Sequence, residues 1–393
     1  MLTLSLITLS SATLMVAAQP TADPIAPAQG NTQEFVFVRP TAQALGVVVK
    51  ETHDLTLQSL TSQFGEEAPQ SVEVAMRLRT RLDAALAEEV IDAGAGANAL
   101  RRRYLSLEGE IQVVDPGSVN EEEGTWDGVG LPLQSPFEGL SVVFQPAASQ
   151  PDGHGRHFDG RALRESALPS LAVPTDWSTF LPPSTDSSGV RKITLGDTWK
   201  VDPARLEPLL APSGFLGWRT VKKDKKEGGQ QPESSTQVLR AFASGVGGNL
   251  HLAFDGELEG EATAKLVTVG VDPDHGRYGE FNVEFSINLA ANRNQFVQSR
   301  RIEGEGELDV DVVGGDLTVR LAGAAVIKWG IDTGRPFAAL VAADEDVMMT
   351  VRVQPETGDA VSQTIQMQGS VANGLTFRER PLAPIKRTVV EGK

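Results

Sequence analysis

Along much of this chain apolar and polar residues alternate one by one. The clearest run sets Phe281, Val283, Phe285, Ile287 and Leu289 between Glu280, Asn282, Glu284, Ser286 and Asn288. Successive side chains of a strand point to opposite faces, so this period predicts a strand with one dry and one wet face. Leu308, Val310 and Val312 lead through Gly314 and Gly315 to Leu317, Val319 and Leu321, which reads as a hairpin with glycines at its turn. Ile327, Trp329 and Ile331 run into a turn at Asp332, Thr333 and Gly334 and on toward Phe337. Val347, Met349, Val351 and Val353 follow, then Ile365, Met367 and Val371 beyond a turn over Pro355 to Ala360. The stretch from Gln237 to Phe377 therefore reads as an antiparallel meander.

The N-terminal half carries the same signal less cleanly. Phe35 to Val38, Gly46 to Lys50, Asp54 to Leu60, Leu100 to Val114 and Leu140 to Gln145 are strand candidates. Arg81 to Asp92 is rich in helix formers, yet Val72, Val74, Met76, Leu78, Leu82, Ala84, Leu86 and Val90 all fall at even positions. Pattern outweighs weak propensity, and the segment reads as a long or bent strand. From Pro151 to Trp218 the chain becomes rich in Pro, Asp and Ser, an irregular connector with short helices. Arg161 to Leu168 can form one helix, and Asp202 can cap another that has Pro203 at its first position and Gly214 past its end.

The organisation that follows is a signal peptide at 1–18, a linker at 19–33 and an N-terminal β domain at 34–150. A connector at 151–221 packs on the sheets, a linker spans 222–236, the meander fills 237–380, and a tail closes the chain at 381–393. Few amphipathic helices are available to cover one-sided sheets. The sheets must cover each other or curl, so the expected class is mainly β, with antiparallel sheets forming sandwich-like or half-barrel domains.

With 393 residues, 40% apolar and 22% charged, the chain is long enough for a substantial core. Met1 to Ala18 holds no charged side chain, and Val16, Ala17 and Ala18 give the small-residue pattern of a signal-peptide cleavage site, with Gln19 the first mature residue. No Lys or Arg precedes Arg39, so the amino terminus alone supplies the positive end of that signal. Cysteine is absent, which agrees with export and removes thiol nucleophiles, Cys-ligated zinc and a cysteine for lipid attachment. No later segment offers the ~20 apolar residues of a membrane-spanning helix. A net charge of −17 repels nucleic acid, and the one basic cluster, Lys222, Lys223, Lys225 and Lys226, is interrupted by Asp224 and runs into a Gly- and Gln-rich stretch, the pattern of a solvated loop. The expected location is periplasmic or extracellular.

Reactive clusters are few. Asp152, His154, His157 and Asp159 could ligate zinc, but they fall in a glycine-containing loop with nothing to fix their geometry, and an exposed hairpin loop accounts for them as well. Asp272, Pro273, Asp274, His275 and Gly276 begin like a calcium loop and then depart from it, with Gly276 where a third ligand belongs and Arg277 where the glycine belongs. Between strands this is a hairpin turn. His251 sits between Leu250 and Leu252 on a strand, at its wet face or edge. Gly245, Gly247 and Gly248 lack dinucleotide-loop spacing, and no phosphate loop or nucleophile elbow is present. No catalytic, metal-binding or cofactor residue is assigned. Trp126, Trp177, Trp199 and Trp218 could line a pocket for a sugar or another apolar-faced ligand. Equally, they could be the anchors that dock an irregular connector onto a sheet.

The run Asp176, Trp177, then Phe180, Leu181, Pro182, Pro183, then Leu195, Gly196, Asp197, Thr198, Trp199, then Leu209, Leu210, Ala211, Pro212, Ser213, Gly214 resembles a recurring pattern of exported β-rich bacterial proteins. In that pattern an LP step, a GDxW step and a PxG step precede a β-rich region. Arg102, Arg103 and Tyr104 upstream are similar to theirs. The resemblance implies export and a β-rich fold, and it transfers no activity or site residue. Gly196 and Asp197 read physically as a tight turn that aims Trp199 and Val201 at the core. Three functional readings stand: an envelope protein that binds an apolar or lipid-like ligand on curved sheets, a structural or protein-interaction module of the envelope, or a hydrolase.

Overall fold

Uninterrupted alternation gives long strands, because nothing within such a run supplies a turn. The computed structural model describes residues 32–38, 45–72, 76–92, 98–114, 119–120, 125–126, 129–147, 154–159, 176–184, 189–212, 216, 219–220, 257–291, 301–302, 310–355 and 359–378. In chain order the strands are β1 (Thr32–Phe35), β2 (Leu45–Phe64), β3 (Gln70–Val72), β4 (Met76–Asp92), β5 (Asn98–Val114), β6 (Val119–Asn120), β7 (Thr125–Trp126), β8 (Val129–Gln134), β9 (Ser141–Pro146) and β10 (His154–Phe158). They continue with β11 (Arg191–Thr194), β12 (Thr198–Val201), β13 (Arg219–Thr220), β14 (Glu257–Asp272), β15 (Gly276–Ala291), β16 (Arg301–Ile302), β17 (Val310–Gly330), β18 (Arg335–Pro355) and β19 (Val361–Arg378). The α-helix among the described residues, α1, is the single turn Glu207–Leu210.

One antiparallel sheet runs β10-β9-β5-β4-β2-β19-β18-β17-β15-β14-β12 and, among the described residues, does not close on itself. β14, β15, β17, β18 and β19 are successive neighbours in it, the expected meander, while residues 237–256 of that expectation lie outside the described residues. The N-terminal strands join the same sheet through β2, which pairs with β19 from Gly46 opposite Arg378 to Phe64 opposite Val361. The chain is thus mainly β and half-barrel-like, as the alternation and the shortage of helices imply. Arg81 to Asp92 is strand throughout.

Four local expectations are corrected. Phe35 to Val38 is strand only at Phe35, where β1 ends, because Val36 and Val38 bond the Trp329 indole and the Gly334 carbonyl instead of a neighbouring ladder. Gly314 and Gly315 do not turn the chain. β17 passes straight through them, with a register shift against β18 between Val312 and Gly314, so these glycines mark a bulge within one strand of 21 residues. Gly46 to Lys50 and Asp54 to Leu60 are one 20-residue strand, because Glu51, Thr52 and His53 continue the ladder rather than break it. His154 to Phe158 is not a loop but β10, paired with β9.

The inner rows of the long strands form one core. Phe281, Val283, Phe285, Ile287 and Leu289 of β15, Leu317 to Trp329 of β17 and Val341 to Met349 of β18 contribute side chains to it, as do Leu78, Leu82 and Leu86 of β4. The outer rows carry Glu259, Glu261, Glu284, Arg320 and Asp344, all exposed. A sheet with a single dry face curls until that face is covered, and here the connector supplies the cover. Asp202 accepts from the Ala204 amide at 3.1 Å and starts a 3-10 turn over Pro203–Leu206 that runs on into α1. Leu206, Leu209, Leu210 and Ala211 are buried at 0–2% exposure. Gly196, at φ +95°, forms the tight turn expected there, closed by the Asp197 carboxylate accepting from the Thr194 amide at 2.8 Å.

β1 fastens the N-terminal end across the same core. It pairs with β11 of the connector, and the Val36 carbonyl accepts from the Trp329 indole at 3.2 Å. Phe35 lies against Phe281 with ring centroids 5.0 Å apart. Gly279 makes its seat, since a Cβ there would come within 2.6 Å of the Phe35 ring.

Candidate functional site

The tryptophans resolve in favour of anchoring where their side chains are described. Trp177 is buried, packed edge-on to Phe377 at 5.3 Å and tilted against Phe180 at 5.4 Å. Trp199 donates its indole N–H to the Phe180 carbonyl at 3.0 Å and meets Phe281 edge-on at 5.6 Å. Both fill space between connector and sheet. Trp126 lies on β7, with no side-chain description, and Trp218 lies outside the described residues.

Of the first cluster the sequence singled out, the side chains of His157 and Asp159 are described. His157 and Asp159 are exposed on and beside β10, and the Asp159 carboxylate meets Arg101 at 2.6 Å. Asp152 and His251 lie outside the described residues, as does the Lys222 to Lys226 cluster. Among the described residues no group of His, Asp or Glu is arranged to hold a metal ion. Asp272 caps its own hairpin turn. Its Oδ1 accepts from the Asp274 amide, the His275 amide and the His275 ring at 2.9, 3.0 and 2.8 Å, and His275 stacks on Phe337 at 4.1 Å. Asp272 to Gly276 is thus the hairpin turn between β14 and β15.

The polar centre of the molecule lies elsewhere, in residues the sequence did not single out. The inner row of β2 reads Val47, Val49, Glu51, His53, Leu55, Leu57, so two titratable side chains interrupt an apolar face. Glu345 does the same on β18, between Ala343 and Val347. The His53 ring joins them. Nε2 lies 2.9 Å from Glu51 Oε1 and Nδ1 lies 2.8 Å from Glu345 Oε2, with side-chain exposures of 8%, 0% and 2% for His53, Glu51 and Glu345. With both carboxylates ionised their oxygens only accept, so satisfying both contacts takes a proton on each ring nitrogen, that is, an imidazolium. Burial by itself would lower the imidazole pKa. The attraction and hydrogen bonds of Glu345 and Glu51 outweigh it and push the value up to about 10.

The bridge from His53 to Glu345 crosses β19, and the register shows how. Glu345 stands opposite Gly369, which puts no side chain in the way. A Cβ at Gly369 would sit 1.8 Å from the Asp54 carbonyl oxygen, so β2 and β19 approach there more closely than any other residue permits. Asn373, opposite Glu51 on β19, is buried and donates its amide to the carbonyls of Leu209 and Leu210 at 3.1 and 2.8 Å. Connector and polar row are thereby fixed to each other. Thr80 of β4, opposite His53, completes the row.

A second ionic group lies toward the β10 edge. Arg102, 5% exposed, donates Nε and Nη2 to Glu88 Oε1 at 2.9 and 2.6 Å and covers the Phe144 ring at 5.6 Å. Burial raises the pKa of the neighbouring Tyr104 phenol above its ordinary value. Chemically, the His53 group is poorly placed for acid–base turnover. An imidazolium held on both nitrogens has no lone pair to accept a proton, and its partners are sealed in the core.

No family model matches the chain and no curated protein matches it. Among solved structures it is similar to an outer membrane channel from Pseudomonas putida F1, at 8% identity and a TM-score of 0.23, covering 87% of this chain and 98% of that one. Others are the transport unit of the autotransporter AIDA-I from Escherichia coli (7% identity, TM-score 0.15, covering 86% and 90%) and OccK1 from Pseudomonas aeruginosa (9%, 0.15, covering 85% and 99%).

Proposed function

We propose that this chain is a non-enzymatic exported protein of the bacterial envelope that works as a structural or protein-interaction module, with its curled sheet filled from within by its own connector. The observation that carries this reading is the burial of Trp177, Phe180, Leu206, Leu209 and Leu210 against the inner face, at 0–7% exposure. An apolar or lipid-like ligand held on the same curved face would have to displace those side chains and break the Asn373 contacts to α1.

The distribution of polarity supports an aqueous setting. A strand embedded in lipid turns a band of apolar side chains outward, whereas here the outward rows mix Glu259, Glu261, Glu284 and Asp344 with exposed Leu340 and Met348, and the inward rows are mainly apolar. The uncharged stretch Met1 to Ala18 supports export, to the periplasm or the exterior. Native mass spectrometry of the protein purified from its host tests the reading. The expected mass is that of the chain from Gln19 with nothing bound, and a co-purifying lipid-sized adduct would overturn it in favour of ligand carriage.

A further inference from the structure

The Glu51, His53 and Glu345 group lies where the two halves of the chain meet. Among the described residues, β2, β4, β5, β8, β9 and β10 join β14, β15, β17, β18 and β19 in the sheet through one pairing, β2 with β19. His53 belongs to the first set and Glu345 to the second, so their 2.8 Å contact ties one half to the other across β19. Among the described residues, the ring bonds Glu51 on its own strand and Glu345 from β18, with Thr80 of β4 and Val371 of β19 opposite His53 and Asn373 of β19 opposite Glu51. Away from this seam, the inner rows at the β14 and β15 pairing are apolar, with Ala262, Ala264 and Leu266 beside Phe281, Val283 and Phe285.

We propose that Glu51, His53 and Glu345 form a proton-dependent latch between the two halves of the sheet, and that loss of the imidazolium proton loosens β2 from β19 while β14 and β15 stay paired. A neutral imidazole has one N–H. One of its nitrogens would then set a lone pair against a carboxylate oxygen in a site with little water, and a buried carboxylate that loses its donor is costly to keep. The effect is local because the paired apolar rows of β14 and β15 have no such dependence.

Pulse-labelling hydrogen exchange on the full mature chain, corrected for intrinsic amide rates, tests this. Between about pH 7 and pH 10 the β2 and β19 amides are expected to lose about a hundredfold or more of their protection relative to the β14 and β15 amides of the same sample. In Glu345→Gln, whose amide can serve a neutral ring, that difference is expected to shrink. The proposal is overturned if both regions lose protection in parallel, or if Glu345→Gln keeps the full wild-type difference. Should Glu345→Gln fail to fold, the wild-type comparison alone decides.

Discussion

Around Phe281 the inner face is held by area. Phe35, Trp199 and Trp329 surround that ring with centroids 5.0–6.4 Å away, and Phe281 and Trp329 are fully buried. Around His53, four strands across the sheet, the same face is held by charge, through two contacts of 2.8 and 2.9 Å in a comparably dry setting. Apolar burial is non-directional and indifferent to protons. A buried ionic group is directional, repays its desolvation only with all its members present, and depends on pH. One core therefore contains a region that should tolerate alkali and a region that should not.

The largest effect expected is at the aromatic end. Trp329→Ala opens a cavity and leaves the Val36 carbonyl without its donor, and should cost about 3–5 kcal/mol in urea unfolding. Its pH dependence should remain that of the wild type. Next, His53→Leu removes the ring that bonds both Glu51 and Glu345 and should cost about 3–5 kcal/mol at neutral pH. Replacing Glu51, His53 and Glu345 together by leucine should instead be near neutral or stabilising, and a loss as large as that of His53→Leu would contradict the account.

Then comes pH itself. The folded-state value for His53 lies above its ordinary 6.5, so its contribution is fully present below pH 6.5 and is lost as pH rises toward about 10. Urea titrations across that window should show a fall on the order of 4 kcal/mol in the wild type and almost none in the triple leucine variant. The smallest effect is expected at the Phe35 seat. Gly279→Ala must push the Phe35 ring aside and should cost about 1–3 kcal/mol, measured by the same method, with no change in the titration.

Much of the architecture was legible in the period of the side chains. Phe281 to Leu289 is the inner row it was read to be, and the pattern over Val72 to Val90 correctly outweighed the helix propensity of the segment. The polar centre was hidden by the same rule. Glu51 and His53 break the apolar row of β2, so the alternation divides at Lys50 and resumes at Asp54, and the two residues fall into a gap that does not exist. A usable signal was present, since both sit at odd positions in phase with Val47, Val49, Leu55 and Leu57. Their partner could not be read, because Glu345 is 292 residues away and meets His53 only through the pairing of β2 with β19 and β19 with β18. Gly314 and Gly315 misled for the opposite reason. Glycine pairs signal turns, and whether the chain turns or bulges depends on whether a neighbouring strand runs past, which here is β18.

The pairing of β2 with β19 also bears on how the chain reaches its native state. Its partners lie far apart in the chain, Gly46 opposite Arg378 and Phe64 opposite Val361, so closing this pairing is expected to be a late step of folding. During synthesis β2 emerges well before β19, so its edge waits for that mate. Until then an edge of 20 residues is open to wrong pairing, the hazard that a long-range strand pairing brings.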